Sequence, residues 1–343
     1  MRILHIADLH LGAKNSKLPK ENQDLLKDEM LENCYKLFTE IGKIYDAIVI
    51  CGDLFHSKNI AIKIINTFFA CVKEFQKPVI YVAGNHDEKV EFLNQPENFI
   101  VLDQVSSIYE TQDCVFYSAE YTQDIDKTRN AVLLLHGNIE NTQDGDFVDI
   151  NPFLNKGFDY IALGHIHTVA KYKKGMNIFA YSGSLFSNGF DECGEKGYID
   201  VEIKDKQLTK CEFKVLPQRS YVICEIDITN AKSNKEIILS IKDKITNMDS
   251  SSKDIVRVVL KGYYDETLNK SIPLIKDAFD DFFYIEFIDN TKLKIDIDGL
   301  KKESLSLKNE FISLVENANL DEEYKRKIIN LGIEALKGDD LSI

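Results

Sequence analysis

This chain has no stretch that reads as a membrane span. No apolar run approaches the ~20 residues needed to cross a bilayer. The first residues, Met1-Arg2-Ile3-Leu4-His5, run straight into a strand pattern with no signal peptide in view. A disulfide framework is missing too. The cysteines number seven, which is odd, and none falls in a CxxC pair. Reduced, mostly buried thiols in a cytoplasmic protein are the expectation. Basic charge is also short: 42 Lys and Arg face 56 Asp and Glu, for a net charge of −14. That argues against a generally basic nucleic-acid binder. It leaves room for a nuclease, because metal neutralises the carboxylates that bind it and local lysine clusters can still face a backbone.

What is present is more specific. At 343 residues the chain can form two domains, or one large and one smaller. Its histidines are His5, His10, His56, His86, His136, His165 and His167, all in the first half. Six of them fall in short segments that share one pattern, an apolar strand ending in polar residues. Arg2 to Ala7 reads as a strand and runs into Asp8-Leu9-His10-Leu11-Gly12. Two apart on an extended segment, Asp8 and His10 point to the same side and can reach one ion. Alone they are more simply a turn aspartate and a surface histidine. Ala47 to Cys51 is a second strand, ending in Gly52-Asp53-Leu54-Phe55-His56. Val79 to Val82 is a third, followed by Ala83-Gly84-Asn85-His86-Asp87.

Helical spacing over 22–45 and 60–75 separates these strands, which is the α/β pattern of a parallel sheet. Beyond residue 98 strands dominate. Ala131 to Leu135 ends in His136, and Tyr160 to Leu163 ends in Gly164-His165-Ile166-His167. An HxH pair is a moderate metal signal. If these strands share one sheet, their ends converge, and open α/β sheets place their chemistry at such edges. The combined set holds two carboxylates, an amide oxygen and several imidazoles. That exceeds one zinc and suits Mn, Fe or Zn in a two-metal site.

Near Pro217 the character changes. A βαβαβ block to about residue 290 carries no histidine and is rich in lysine. Those lysines read as a solvated face or as a cap that touches substrate backbone. Two tail helices are expected, with stripes Leu307-Phe311-Leu314-Val315 and Tyr324-Ile328-Leu331-Ala335.

In this order, the DxH, GDxxH, GNHD, H and GHxH segments resemble the calcineurin-like metallophosphoesterases, and within them the SbcD-type DNA repair nucleases. The resemblance covers nearly the whole chain. It implies an α/β two-sheet sandwich flanked by helices (1–217), a smaller α+β capping domain (218–290), and a linker with a C-terminal helical segment (291–343). It implies that Asp8, His10 and His167 hold one metal, that Asn85, His136 and His165 hold a second, and that Asp53 bridges them. His86 would stabilise the transition state and protonate the leaving oxygen, with His56 beside it. The implied activity is Mn-dependent exonuclease and endonuclease cleavage of DNA. The implied partners are DNA, an SbcC-type coiled-coil ATPase bound by the tail, and a second copy of the chain, in a cytoplasmic, nucleoid-associated protein. The helix at 22–45 and the segment 88–100 are candidates for the pairing of copies. Gly52-Asp53-Leu54-Phe55-His56 lacks the Asp-Arg of protein phosphatases, which argues against that branch. A phosphodiesterase or phosphatase for small molecules or cyclic nucleotides, and a metal-binding scaffold, are the competing readings.

Overall fold

The computed structural model describes residues 1–14, 16–87, 90, 92, 94–140, 146–264, 268–294 and 307–337. The chain divides into two compact units, Met1–Tyr221 and Val222–Ile343.

The first unit is built from strands that alternate which face they bury. In β1 (Arg2–Ile6), Leu4 and Ile6 point one way, while Ile3 and the following Ala7 point the other. The same alternation recurs in β2 (Ala47–Cys51) and β3 (Val79–Val82). With β4 (Phe99–Leu102) these strands run parallel. The long hairpin of β11 (Gly197–Lys204) and β12 (Gln207–Val215) joins antiparallel at β1. The second sheet has the order β5-β6-β7-β8-β10-β9. Its strands are β5 (Ile108–Glu110), β6 (Cys114–Tyr117), β7 (Asn130–His136), β8 (Tyr160–Gly164), β9 (Ala170–Lys174) and β10 (Asn177–Tyr181). Side chains from both sheets, among them Val49, Ile80, Phe116, Val132 and Ala162, fill the space between them. Helix α2 (Ile62–Phe75), the end of α1 (Lys20–Lys36) and the turn that follows it cover the outer face of the first sheet through Phe68, Val72, Cys34 and Phe38.

The strands that carry the polar ends therefore do not share one sheet. β1, β2 and β3 lie in the first and β7 and β8 in the second. Their ends converge because the two sheets stack face to face. The helical run expected over 22–45 is α1 followed by a π-helical turn (Leu37–Ile41) and a 3-10 turn (Gly42–Ile44). Leu37 and Phe38 enter the core there, while Leu25 stays 53% exposed. All seven cysteines are free, and five of them are buried.

The second unit pairs β13 (Tyr221–Asp227), β14 (Ile255–Lys261) and β16 (Tyr284–Asp289) in one sheet, backed by α3 (Asn234–Asn247) and α4 (Ile272–Asp277). A two-strand pairing, β15 (Tyr263–Tyr264) with β17 (Lys292–Leu293), follows. Helices α5 (Leu307–Glu316) and α6 (Glu322–Lys337) pack through Ile312, Val315, Ile329 and Ile333. Both tail stripes are thus partly misplaced in the sequence reading. Leu307, Leu314, Tyr324 and Leu331 face outward, because apolar residues lie on more than one side of each helix and only the partner helix selects the inner face. Residues 295–302 of the linker expected at 289–302, and residues 88, 89, 91 and 93 of the candidate pairing segment, lie outside the described residues. Among the described residues no helix is long and apolar enough to cross a membrane.

Candidate metal centre

The loops leaving β1 and β2 are stitched to each other. Asp8 N donates to Gly52 O, His10 N to Asp53 O, and Leu11 N to Leu54 O, at 2.9–3.1 Å. His56 N returns the bond to Leu11 O at 3.2 Å. This frame forces unusual backbone on the polar residues. Asp8, His10 and Asp53 sit at φ 52°, 43° and 49°, and His165 at 97°. Left-handed backbone at non-glycine residues persists only where surroundings over-determine it, and it clusters at functional sites. Two motif glycines are fixed by contact. A Cβ on Gly52 would lie 2.0 Å from His136 Nδ1, and one on Gly84 would lie 2.1 Å from Asp53 Oδ1.

The two sheets then meet. His165 N donates to both oxygens of Asp8 at 3.0 Å, and His86 N donates to Asp53 Oδ1 at 3.0 Å. Asp53 Oδ2 stands 3.6 Å from His10 Nε2 and 3.6 Å from His136 Nε2. His10 Nε2 and His167 Nε2 are 3.2 Å apart, and the rings of His136 and His165 are 5.3 Å apart. All seven expected ligand residues are thereby brought into one cluster. The His56 and His86 rings lie beside it, 5.7 and 4.9 Å from the His10 ring. Among the described residues, three sets of side chains are close enough to share an ion: Asp8-His10-His167, Asp8-Asp53-His136 and His10-His56-His86.

The donor chemistry fits a cation. His136 Nδ1 donates to the Cys51 carbonyl at 2.9 Å, and burial keeps the ring neutral by lowering its pKa. Its Nε2 is then a lone pair, yet it faces Asn85 Oδ1 at 3.0 Å. Two lone pairs at that distance repel unless a positive centre sits between or beside them. Asp8 is fully buried, and burial pushes its pKa up to about 8. A buried carboxylate held among imidazoles needs a cation to ionise comfortably at neutral pH.

Sequence reasoning missed Glu192. Its Oε1 accepts from His167 Nδ1 at 2.7 Å, and its Oε2 accepts from Asn188 N and Ser184 Oγ. Lys196 Nζ and Ser184 N both donate to the His167 carbonyl. The Glu192 hydrogen bond raises the pKa of His167 and fixes Nδ1 as the protonated nitrogen, which points Nε2 at the cluster. The only signal in the sequence was an acidic residue in the loop through Phe190-Asp191-Glu192. Asp87 also gains a role. Fully buried, it accepts from Gly84 N and Phe55 N at 2.9 and 3.0 Å and so joins the turns after β3 and β2.

A stacked pair of sheets with paired carboxylates and imidazoles at its strand ends is the architecture of a metal-dependent phosphoesterase. Residues 1–169 match the family model of calcineurin-like phosphoesterases, so this part of the chain is a calcineurin-like metallophosphoesterase domain. The protein is a metal-dependent phosphodiesterase.

Among curated proteins it is similar to the DNA double-strand break repair protein Mre11 of Saccharolobus solfataricus. The two are 25% identical over 307 residues, 76% of this chain and 75% of that one. The Mre11 protein of Methanocaldococcus jannaschii is 26% identical over 339 residues, 89% of this chain and 88% of that one. Among solved structures, TT1561 of Thermus thermophilus aligns with TM-score 0.41 and 15% identity over 63% of this chain and 99% of that one. A putative 5'-nucleotidase of Staphylococcus aureus aligns with TM-score 0.42 and 12% identity over 64% and 55%.

Proposed function

We propose that the chain is a Mn-dependent DNA nuclease of a double-strand-break repair complex, with exonuclease and endonuclease activity. The observation that carries this reading is the position of Asp53 Oδ2, 3.6 Å from an imidazole nitrogen of each flanking set. That is the place of a bridging carboxylate in a two-metal site. Asp8, His10 and His167 would hold one ion and Asn85, His136 and His165 the other. When bound, the ions would polarise a phosphodiester and supply an acidic water as nucleophile. Mixed oxygen and nitrogen donors suit manganese.

The chain's own residues do the rest. His86 Nδ1 donates to the His56 carbonyl at 2.9 Å, which fixes the ring and leaves Nε2 turned away from that bond. From there Nε2 can hold the proton that the leaving 3′ oxygen takes up. His56 lies beside the His86 ring, 5.6 Å between centres, where it orients that ring or contacts phosphate. Asp53 Oδ1 accepts from His86 N, so the proposed bridge and the proposed acid sit on one hydrogen bond.

The similarity to Mre11 proteins over most of the chain supports DNA as substrate and an SbcC-type coiled-coil ATPase as partner. The outward Leu314 and Tyr324 of α5 and α6, 72% and 57% exposed, support the tail as the ATPase contact. Pairing of two copies in a cytoplasmic, nucleoid-associated complex completes the proposal, with 1–217, 218–290 and 291–343 as nuclease, cap and partner-binding parts.

The test uses linear duplex and single-stranded DNA beside bis-p-nitrophenyl phosphate, with Mn and with Mg. Cleavage of both DNA forms with Mn is expected. Turnover of the small ester alone would move the reading to a small-molecule phosphodiesterase, and no turnover at all to a scaffold. His86→Ala should keep two ions per chain and lose cleavage by about 10²–10⁴-fold. Fewer than two ions in that variant would overturn its role as a proton donor.

A further inference from the structure

We propose that His10, His56 and His86 form an auxiliary zinc site whose occupation inhibits the phosphodiesterase. The proposal rests on the two-ion reading above and adds a third, competing set of donors.

The geometry is on one bonded frame. One nitrogen of each ring lies within 4.8 Å of the other two. The ring centres are 4.9 Å (His10 to His86), 5.6 Å (His56 to His86) and 5.7 Å (His10 to His56) apart. A tetrahedral zinc with Zn–N distances of about 2.0–2.1 Å places imidazole centres about 5 Å apart, so small side-chain rotations close the site. The frame is rigid: His56 N bonds Leu11 O, and His86 bonds the His56 carbonyl through Nδ1. That last bond commits the Nδ1 proton, so a metal and the proton compete for the one lone pair of His86 Nε2. His56 and His86 are exposed, so an ion from solvent reaches them first, while His10 is 4% exposed and closes the inner side.

The donor set decides which ion it takes. It contains three imidazoles and no oxygen. Manganese and magnesium favour carboxylate and carbonyl oxygen, while imidazole suits zinc, and zinc outranks manganese for any nitrogen site. The trio therefore offers manganese little, while zinc binds it as well as competing for the mixed set with Asp8, Asp53 and Asn85. Occupation has two consequences. His10 is shared with the Asp8-His10-His167 group, so zinc on the trio pulls a ligand from it. Zinc also takes the His86 Nε2 lone pair, and a ring so engaged cannot carry a proton to a leaving oxygen.

The experiment dialyses the full, manganese-saturated chain against rising zinc, with both metals counted by elemental analysis. The same is done with His56→Ala, whose ring is exposed and whose loss leaves the core intact. The wild type should take up an additional zinc ion, and His56→Ala should need at least about tenfold more zinc for the same uptake. Cobalt, used as a coloured stand-in for zinc, should give the intense visible absorption of a low-coordinate nitrogen site in the wild type and lose it in the variant. Equal zinc uptake by the two proteins, a cobalt spectrum that the substitution leaves unchanged, or wild-type hydrolysis of bis-p-nitrophenyl phosphate that does not fall as the additional zinc is taken up, overturns the proposal. The manganese count before zinc is added judges the two-ion reading separately. A count below two sinks that reading, whereas the auxiliary site stands or falls on the difference between the two proteins.

Discussion

The two units of this chain follow opposite rules. Unit Val222–Ile343 obeys local convention. Helix α3 starts on Ser233, whose side chain accepts from Glu236 N, while the Glu236 carboxylate accepts from the N–H of Lys232, one residue before the cap. Helix α4 starts on Ser271, which accepts from Leu274 N. Unit Met1–Tyr221 breaks such conventions where its histidines gather. Helices α1 and α2 follow Pro19 and Ala61 with no side-chain cap. Aspartates and histidines take left-handed backbone, and the carboxylates of Asp8 and Asp53 are buried. The difference teaches where chemistry resides. A region outside the histidine cluster can follow local capping preferences, whereas the cluster holds polar groups where burial disfavours them, and surrounding bonds carry the strain.

The largest expected effect tests whether the units are separable. Deleting residues 303–343 should abolish capture of the ATPase partner in a pull-down and leave hydrolysis of bis-p-nitrophenyl phosphate unchanged. Recovery of the ATPase by the truncated chain would sink the tail as its contact, and loss of hydrolysis would break the contrast between the units. Next in size is Glu192→Gln, which removes the charge behind His167. Manganese affinity should fall about 10–100-fold, read by calorimetric titration, with the thermal midpoint of the metal-free chain little changed. Unaltered affinity would reduce Glu192 to a loop contact.

A third effect concerns Asp8 in the metal-free chain. Its folded pKa of about 8 lies above the model-peptide value of 3.8, because burial disfavours the charged form. Between those values the folded state binds more protons than the unfolded one. Stability should therefore fall as pH rises through this window, by up to about 1.4 kcal/mol per pH unit. Asp8→Asn should flatten that slope. Denaturant unfolding with EDTA at several pH values checks it, and an identical slope in the variant would show that other groups set it.

Much of the fold was legible because burial has a period. The strands at Ala47–Cys51, Val79–Val82 and Tyr160–Gly164 are short apolar runs that end in glycine or polar residues, and α2 shows a clean apolar stripe. The short edge strand β5, with no buried residue, left no such pattern. In the tail, helix existence was readable but the inner face was not, because Leu314 and Val315 are equally apolar and only packing against α6 distinguishes them.

For the site, Asp8, His10, Asp53, Asn85, His86, His136, His165 and His167 were singled out because a strand that ends in such residues is unusual for a fold alone. Glu192 was not, since it sits in an irregular loop, 25 residues beyond the histidine it holds. An acidic residue there has no period or spacing to mark it.

The sequence by itself determined which residues stand at strand ends and that they are metal-binding types, because side-chain chemistry and strand periodicity are local properties. Only the tertiary structure decided that those ends come from two stacked sheets. It alone placed Asp53 between the His10 and His136 sets, and turned Glu192 and Asp87 into supports for them. Those relations join residues far apart in the chain, and distance along the chain carries no information about which backbone N–H or carboxylate will meet in the fold.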